Sequence, residues 1–465
     1  MPQTQYDIVI VGGGPGGYTA AIRAAQLGMQ AAVVERDRLG GVCLNWGCIP
    51  TKALLRNAEI LSLLQHADEW GISFDNLQVD FPRIIKRSRG VAERISKGVE
   101  YLMKKNAVAV ISGTARLVSP DTVEVREDGS AASSVKARHI ILATGARPRP
   151  LPGAPFDRTR ILTSSEAMTL PSLPASMMII GAGAIGIEFA SFYQTLGTRV
   201  TVVEMMSSIL PVEDRELTKL LASSLKKRGI EILTDSRVER AEVNDHGVRV
   251  RVQAPDGLRT LSADVALVAI GVQGNVENLG LESVGVRVEH GRCIVDKQYR
   301  TSVPGVYAIG DVIGPPWLAH VAAAEGINCV EVIAGRQPAE VDYANVPGCT
   351  YCTPQLASVG LTEEAAKAEG YEVKIGRFPY RPLGKAMALG ETEGMVKLIF
   401  DARYGELLGA HILGAEATEL IAETVLARKL EATGPDLYRT MHAHPTLSEA
   451  VMEAAAAAYG EAISI

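Results

Sequence analysis

A chain of 465 residues with 47% hydrophobic and 22% charged residues outgrows one hydrophobic core and has an ordinary globular composition. About two to four domains are expected, and a disordered or membrane-embedded chain is not. The net charge of −6 argues against nucleic acid or an anionic membrane as the main partner. The opening MPQTQYD has no basic region and no apolar run, so no signal or transit peptide is expected. The most apolar stretches, 177–190 and 265–272, are short and broken by glycine, so no spanning helix is expected either. Six cysteines without a secretory signal point to the cytoplasm, where a disulfide is more often catalytic than structural.

The first predicted element is a strand at Ile8–Val11, running into Gly12, Gly14 and Gly17, an Ala-rich helix ended by Gly28, and a second strand ending at Glu35. The same pattern returns at a constant offset of 169 residues, with Gly181, Gly183, Gly186, Gly197 and Glu204. Each part has a physical reason. The first glycine allows a tight turn, the second lets the backbone approach a pyrophosphate, and the third lets helix and strand pack closely. The helix N-terminus attracts phosphate, and the strand-end acid accepts ribose hydroxyls. Both copies are therefore read as dinucleotide-binding folds. In the second, Glu204 repels a 2′-phosphate and no Arg follows in 205–210, which favours NAD over NADP.

Between the repeats lies GGVCLNWGCIPTK (residues 40–52). Two cysteines with four residues between them are, in isolation, more often buried thiols or a structural bridge. Here a Gly pair precedes Cys43, and Pro50 can sit in the first turn of a helix that begins near Cys48. A helix N-terminus favours a thiolate, and Lys52 adds a cation one turn on. HIILATGARP (139–148) is a buried strand entering Ala143, Thr144 and Gly145, and ADVALVAIGVQGN (263–275) is a similar one entering Gly271. Both mark cofactor contacts and crossings between domains. VYAIGD (306–311) ends at Gly310 and Asp311, whose carboxylate either meets a polyol hydroxyl or caps a turn. Cys349 and Cys352 form a CxxC with no matching ligand pair elsewhere, and are read as strand or loop residues rather than a metal site; no metal is expected. Cys293 and Cys329 carry no pattern and are read as buried thiols.

Together, two dinucleotide repeats, the CxxxxC run, the ATG strand and the GD strand resemble the flavoprotein disulfide reductases, or class I pyridine nucleotide-disulfide oxidoreductases. GGVCLNWGCIPTK and MHAHPTLSEA (441–450) are most similar to the dihydrolipoyl dehydrogenases among them. The resemblance implies an α/β fold with two Rossmann-type domains, for FAD and NAD, and a C-terminal α+β dimerisation domain. Boundaries are placed at 1–147 and 273–345 for FAD, 148–272 for NAD and 346–465 for dimerisation. It implies FAD on the first repeat, with Glu35 on the ribose and Asp311 on the ribityl chain, and NAD on the second, with Glu204 on the ribose. Cys48 matches the flavin-side cysteine and Cys43 the interchange thiol that meets substrate. Lys52 matches the lysine beside the flavin, with Glu188 as its ion-pair partner at the nicotinamide side. Ala319 and His320 match a helix start facing the flavin pyrimidine.

His444 and Glu449 match the family's base and its carboxylate, reaching the disulfide of the other subunit of a homodimer. A dithiol must lose a proton before it attacks a disulfide, and imidazole held by a carboxylate suits that task. His442 is read as structural. The implied partners are lipoyl domains of 2-oxo acid dehydrogenase complexes or the glycine cleavage carrier. The alternative is an NAD(P)H-driven reductase of another disulfide such as glutathione, and a contrasting class is a non-catalytic nucleotide-binding scaffold. Trp46, where many members carry a smaller residue, can cover the disulfide or tune its potential. The chain ends in an Ala-rich helix without the cysteine pair that mercuric reductases need.

Overall fold

The computed structural model describes residues 5–127, 129 and 131–464. Contacts divide the chain into two units: residues 1–54, 81–149 and 271–341 form the first, and residues 55–80, 150–270 and 342–465 the second.

The first unit is built on a sheet whose central strand is Gln5–Val11, a Val/Ile run with almost every side chain buried. It pairs in parallel with Ala31–Glu35 on one side and Ser133–Leu142 on the other. Ala109–Ser112 and Val306–Ala308 extend the parallel sheet outward, and a hairpin, Thr114–Ser119 with Thr122–Arg126, pairs antiparallel onto Ser133–Leu142. The strand order reverses at the central strand, so a crevice opens at its carboxyl end, at Gly12 and Ala143. The helices Pro15–Gln26, Phe81–Lys105 and Ala319–Ile333 belong to this unit. In Phe81–Lys105 the buried residues are Phe81, Ser88, Ala92, Ser96, Val99 and Met103, a helical stripe in which two members are serines. Those serines bond distant carbonyls, Ser88 Oγ that of Pro50 and Ser96 Oγ that of Leu39, both at 2.8 Å.

The second unit repeats the architecture. Its parallel sheet runs Glu231–Leu233, Arg199–Val203, Ser176–Ile180, Val265–Val268, Ile161–Leu162. A three-stranded antiparallel sheet spans Arg237–Ala263 in sequence. A separate five-stranded antiparallel sheet is ordered Gly348–Thr350, Gln355–Gly360, Leu407–Gly414, Met395–Asp401, Val373–Pro379. The C-terminal helix Glu449–Ala457 packs on that last strand at very close range. A Cβ at Gly376 would fall 1.7 Å from the Ala454 carbonyl oxygen, so the strand requires glycine there. Ala450, Val451, Ala454 and Ala455 are fully buried there. This packing fixes the helix that begins at Glu449. Among the described residues, no helix is long and apolar enough to cross a membrane.

Candidate active site

In the first unit the glycine loop is shaped by contact. A Cβ at Gly12 would lie 2.2 Å from the Ala143 carbonyl oxygen, and one at Gly17 would lie 1.9 Å from that of Gly12. A Cβ at Gly14 would meet only the Gly41 Cα, at 3.9 Å, so the middle glycine leaves room where a phosphate can approach. Glu35 is held from two sides: Gly13 N–H donates to Oε2 at 2.7 Å and Asp37 N–H to Oε1 at 2.9 Å. A cavity of about 450 Å³ opens beside it, lined by Glu35, Asp37, Arg38, Met103, Lys104 and Ser112 among others. A fixed carboxylate at a cavity mouth beside an uncapped helix N-terminus fits the ribose and phosphates of a dinucleotide such as FAD.

Cys43 lies in the short helix Gly41–Trp46, and Cys48 opens the helix Cys48–Gln65, with Gly47 breaking the path between them. Gly40 and Gly41 have φ of +98° and +55°, and a Cβ at Gly41 would fall 2.7 Å from the Gly14 Cα. The Gly pair thus brings the cysteine segment against the dinucleotide loop. Both cysteines are thiols here rather than a disulfide. A hydrogen bond with Cys48 and burial push the Cys43 thiol well up; Lys52 opposes this and Asp311 adds to it. Cys48, by contrast, is exposed.

Thr144 and Asn275 clamp each other: Thr144 Oγ1 donates to the Asn275 carbonyl and Asn275 Nδ2 to the Thr144 carbonyl, both at 2.8 Å. Asn275 N–H also bonds the Gly145 carbonyl, and Arg149 N–H bonds that of Gly271, so the two crossing segments are tied at four points. Gly310 N–H donates to Glu325 at 2.7 Å. Burial, with Glu325 nearby, raises the Asp311 carboxyl to about 6. Hydroxyl donors from a polyol would favour its charged form again. The helix Ala319–Ile333 starts after Leu318 with no side-chain cap, so Ala319 and His320 stand at its N-terminus. Asn275 ends the segment 263–275, and the buried Asn45, whose Nδ2 donates to the Leu39 and Gly41 carbonyls, lies inside 40–52, yet nothing in either run singles out the amide; Glu325 carries no local signal.

The second unit holds the second loop in the same geometry. A Cβ at Gly181 would meet the Ala269 carbonyl oxygen at 2.4 Å, one at Gly186 would meet that of Gly181 at 2.1 Å, and Gly183 has nothing within 4 Å. Glu204 accepts from Ala182 N–H at 2.7 Å and Met206 N–H at 2.8 Å, matching Glu35 bond for bond. Such a site fits NAD. Glu188 is buried and accepts from Tyr351 N–H at 3.0 Å. Tyr351 lies inside the CxxC: Cys349 is in the strand Gly348–Thr350, and Cys352 Sγ contacts the Pro354 carbonyl at 3.1 Å. This pair is therefore an anchoring segment.

In the same unit, His444 Nδ1 lies 2.9 Å from Glu449 Oε1, and Thr446 N–H donates to Glu449 Oε2 at 2.8 Å. Burial opposes the charge on Glu449, but Thr446 and His444 outweigh it and hold the carboxyl below its usual range. The His444 side chain is 79% exposed, available to a group outside its own unit. His442 forms a second, partly buried pair, with Nε2 2.7 Å from Glu423 Oε1.

Residues 6–326 match the pyridine nucleotide-disulphide oxidoreductases, and residues 346–455 match the dimerisation domain of the same proteins. The chain belongs to the pyridine nucleotide-disulphide oxidoreductase family. Within it, the chain is 49% identical to dihydrolipoyl dehydrogenase of Rhizobium etli over 99% of both chains. It is 48% identical to that of Zymomonas mobilis, covering 98% of this chain and 99% of the relative. Among solved structures it resembles LpdA from Mycobacterium tuberculosis, with a TM-score of 0.90 and 30% identity over 97% of this chain and 99% of that one. The α/β fold with a C-terminal dimerisation domain expected of this oxidoreductase family is thereby established.

Proposed function

We propose that this protein is an FAD-containing, NAD-dependent dihydrolipoyl dehydrogenase that reoxidises protein-bound dihydrolipoamide through Cys43 and Cys48. The observation that carries this reading is the placing of Cys43 and Cys48 on either side of the Gly47 break, with the Gly40–Gly41 turn before them set against the first dinucleotide loop. The full-length relatives named dihydrolipoyl dehydrogenase support the choice of substrate. FAD, held by the first glycine loop, Glu35 and Asp311, would supply a two-electron acceptor between the cysteine pair and NAD⁺.

The chain's own residues do the rest. Glu35 and Asp311 hold ribose and polyol hydroxyls, Gly12, Gly14 and Gly17 admit the pyrophosphate, and Glu204 selects an unphosphorylated ribose. Thr144, Gly145 and Gly310 line the flavin side, together with Ala319 and His320. Gly181, Gly183, Gly186, Glu188 and Gly271 serve the nicotinamide nucleotide. His444, oriented by Glu449, removes a proton from one substrate thiol. The resulting thiolate attacks Cys43 Sγ, the Cys43–Cys48 bond breaks, and Cys48 leaves as a thiolate near Lys52. The second substrate thiol then displaces Cys43, forming the cyclic disulfide product and leaving both cysteines reduced.

The working unit is a homodimer in which His444 of one subunit serves the cysteines of the other. The FAD segments (1–147 and 273–345), the NAD domain (148–272) and the dimerisation domain (346–465) divide the labour. Lipoyl domains of 2-oxo acid dehydrogenase complexes, or the glycine cleavage carrier, are the partners, in the cytoplasm.

Anaerobic titration tests the reading. One equivalent of dihydrolipoamide is expected to produce a long-wavelength thiolate–flavin absorbance, and added NAD⁺ to yield NADH. Survival of that absorbance in Cys48→Ser would refute the assignment. His444→Gln is expected to slow lipoamide-dependent turnover by about 10²–10⁴-fold while largely sparing NADH oxidation by artificial acceptors.

A further inference from the structure

Trp46 stands between the two cysteines in sequence, and the first unit gives it specific partners. Its indole N–H donates to Asp37 Oδ2 at 3.1 Å. The Arg89 guanidinium lies over its ring, 4.3 Å from the centroid. The same guanidinium donates through Nη1 to the Asn45 carbonyl at 2.6 Å. That carbonyl belongs to the last turn of the helix Gly41–Trp46, where Gly47 (φ −149°, ψ −112°) ends the helix and leaves carbonyls without intrahelical partners. Arg89 is flanked by two further donors to the cysteine segment: Arg87 Nη1 to the Ala53 carbonyl at 3.1 Å, and Ser88 Oγ to that of Pro50 at 2.8 Å. One helix, Phe81–Lys105, therefore grips the backbone on both sides of the break, and Trp46 is pinned between that helix and the loop after Glu35.

We propose that Trp46 and Arg89 form a clamp that positions Cys43 against Cys48 and so sets how readily their disulfide closes. The proposal rests on the redox reading of the two cysteines and adds positioning residues to it. The physical argument is one of effective concentration. Two thiols held within hydrogen-bond reach by a fixed break close a ring with little further loss of backbone freedom. Releasing the break lets Cys43 and Cys48 separate in the dithiol state, which disfavours closure and makes the disulfide easier to reduce. A charge-assisted hydrogen bond and a cation–π contact together are of the size that moves an equilibrium about ten-fold.

The test uses the full-length, flavin-loaded protein equilibrated anaerobically with mixtures of reduced and oxidised dithiothreitol. In this exchange the dithiol of dithiothreitol gives two electrons and two protons to the Cys43–Cys48 disulfide and closes to its own cyclic disulfide. The fraction of Cys43 and Cys48 alkylated by iodoacetamide, read by peptide mass, gives the equilibrium constant. Arg89→Ala and Trp46→Ala are each expected to lower the constant for closure about ten-fold, and the double variant by no more than either alone. Trp46→Phe keeps the ring beneath Arg89 and loses only the N–H, so a smaller shift of about three-fold is expected. Arg89→Lys, which keeps charge without the planar fork, should fall between wild type and Arg89→Ala. Constants within two-fold of wild type in both alanine variants would overturn the clamp, as would independent effects that multiply in the double variant. A fall in melting temperature with an unchanged constant would reduce Arg89 to a structural role and overturn it too. Wild-type protein that forms no Cys43–Cys48 disulfide would overturn the redox reading along with the clamp. Formation in wild type with unshifted variants would overturn the clamp alone.

Discussion

Gly183 and Gly186 occupy the same loop for different reasons, and alanine at each separates them. At Gly186 a methyl group would sit 2.1 Å from the Gly181 carbonyl oxygen, so helix and strand must part. Gly186→Ala should destabilise the protein by about 1–3 kcal/mol, the usual cost of overpacking, as measured by thermal unfolding. At Gly183 there is nothing within 4 Å, so Gly183→Ala should leave thermal unfolding nearly unchanged. Its methyl group would instead fill space kept for phosphate, and the KM for NAD⁺ should rise. Equal losses of stability in the two variants would contradict this division. Glu35 and Glu204 make the complementary point. Each has both oxygens engaged by backbone N–H groups in the same pattern, which orients the carboxylate before any ribose arrives.

At the scale of elements, the second unit is held by an ion cluster centred on Lys397, in the strand Met395–Asp401. Its ammonium, 2% exposed, lies within 3.0 Å of oxygens on Asp214, Glu216 and Glu363, which come from two segments, the start of the helix Arg215–Lys227 and the start of the helix Glu363–Ala368. Burial opposes the charge on Glu363, but hydrogen bonds from Lys367 and Lys397 outweigh it and hold its carboxyl at about 2. Asp214 is likewise lowered, burial being overcome by Lys397 and by nearby His411. Both groups bind protons less tightly folded than unfolded. Their contribution is therefore complete above the ordinary carboxylate range and is lost as pH falls through their lowered folded values, which for Glu363 is about 2. Lys397 is raised, so its own contribution is lost only in alkali, as pH climbs past the ordinary lysine range. Replacing Lys397 by Met strands buried carboxylates and should cost about 3–5 kcal/mol at neutral pH. Urea unfolding across pH should then show the acid limb of wild type flattened or reversed in the variant. An unchanged acid limb would mean the cluster does not carry the pH dependence.

For the whole molecule, the proposed division of the site between subunits has a direct consequence. Cys48→Ser and His444→Gln homodimers should each be nearly inactive with dihydrolipoamide. Dissociated, mixed and reassociated, they form heterodimers in which one site receives both intact residues and the other neither. With random pairing about half the dimers are mixed, so about a quarter of wild-type activity should return. If His444 served the cysteines of its own chain, no activity would return. The exposed His444 ring, fixed by Glu449 on a helix packed methyl-close against Gly376, is consistent with presentation to a partner.

The sequence by itself determined the parts whose chemistry is contiguous. Each dinucleotide site is written within about thirty residues, because a strand, a turn and a helix that touch in space also follow one another in the chain. The glycines and the closing glutamate are thus visible as a repeat. The cysteine segment and the His444–Glu449 pair are local in the same sense. Tertiary structure decided the rest, since a side chain that bonds a distant carbonyl leaves no periodic mark. Glu325 under Gly310, the Thr144–Asn275 clamp, and Lys397 reaching Asp214 across 183 positions are of this kind. Trp46 lies between the two classes: its place between the cysteines was plain in the sequence. Its partner Arg89 was decided only when the helix Phe81–Lys105 laid a guanidinium over the ring, because burial brought together residues that the chain keeps far apart.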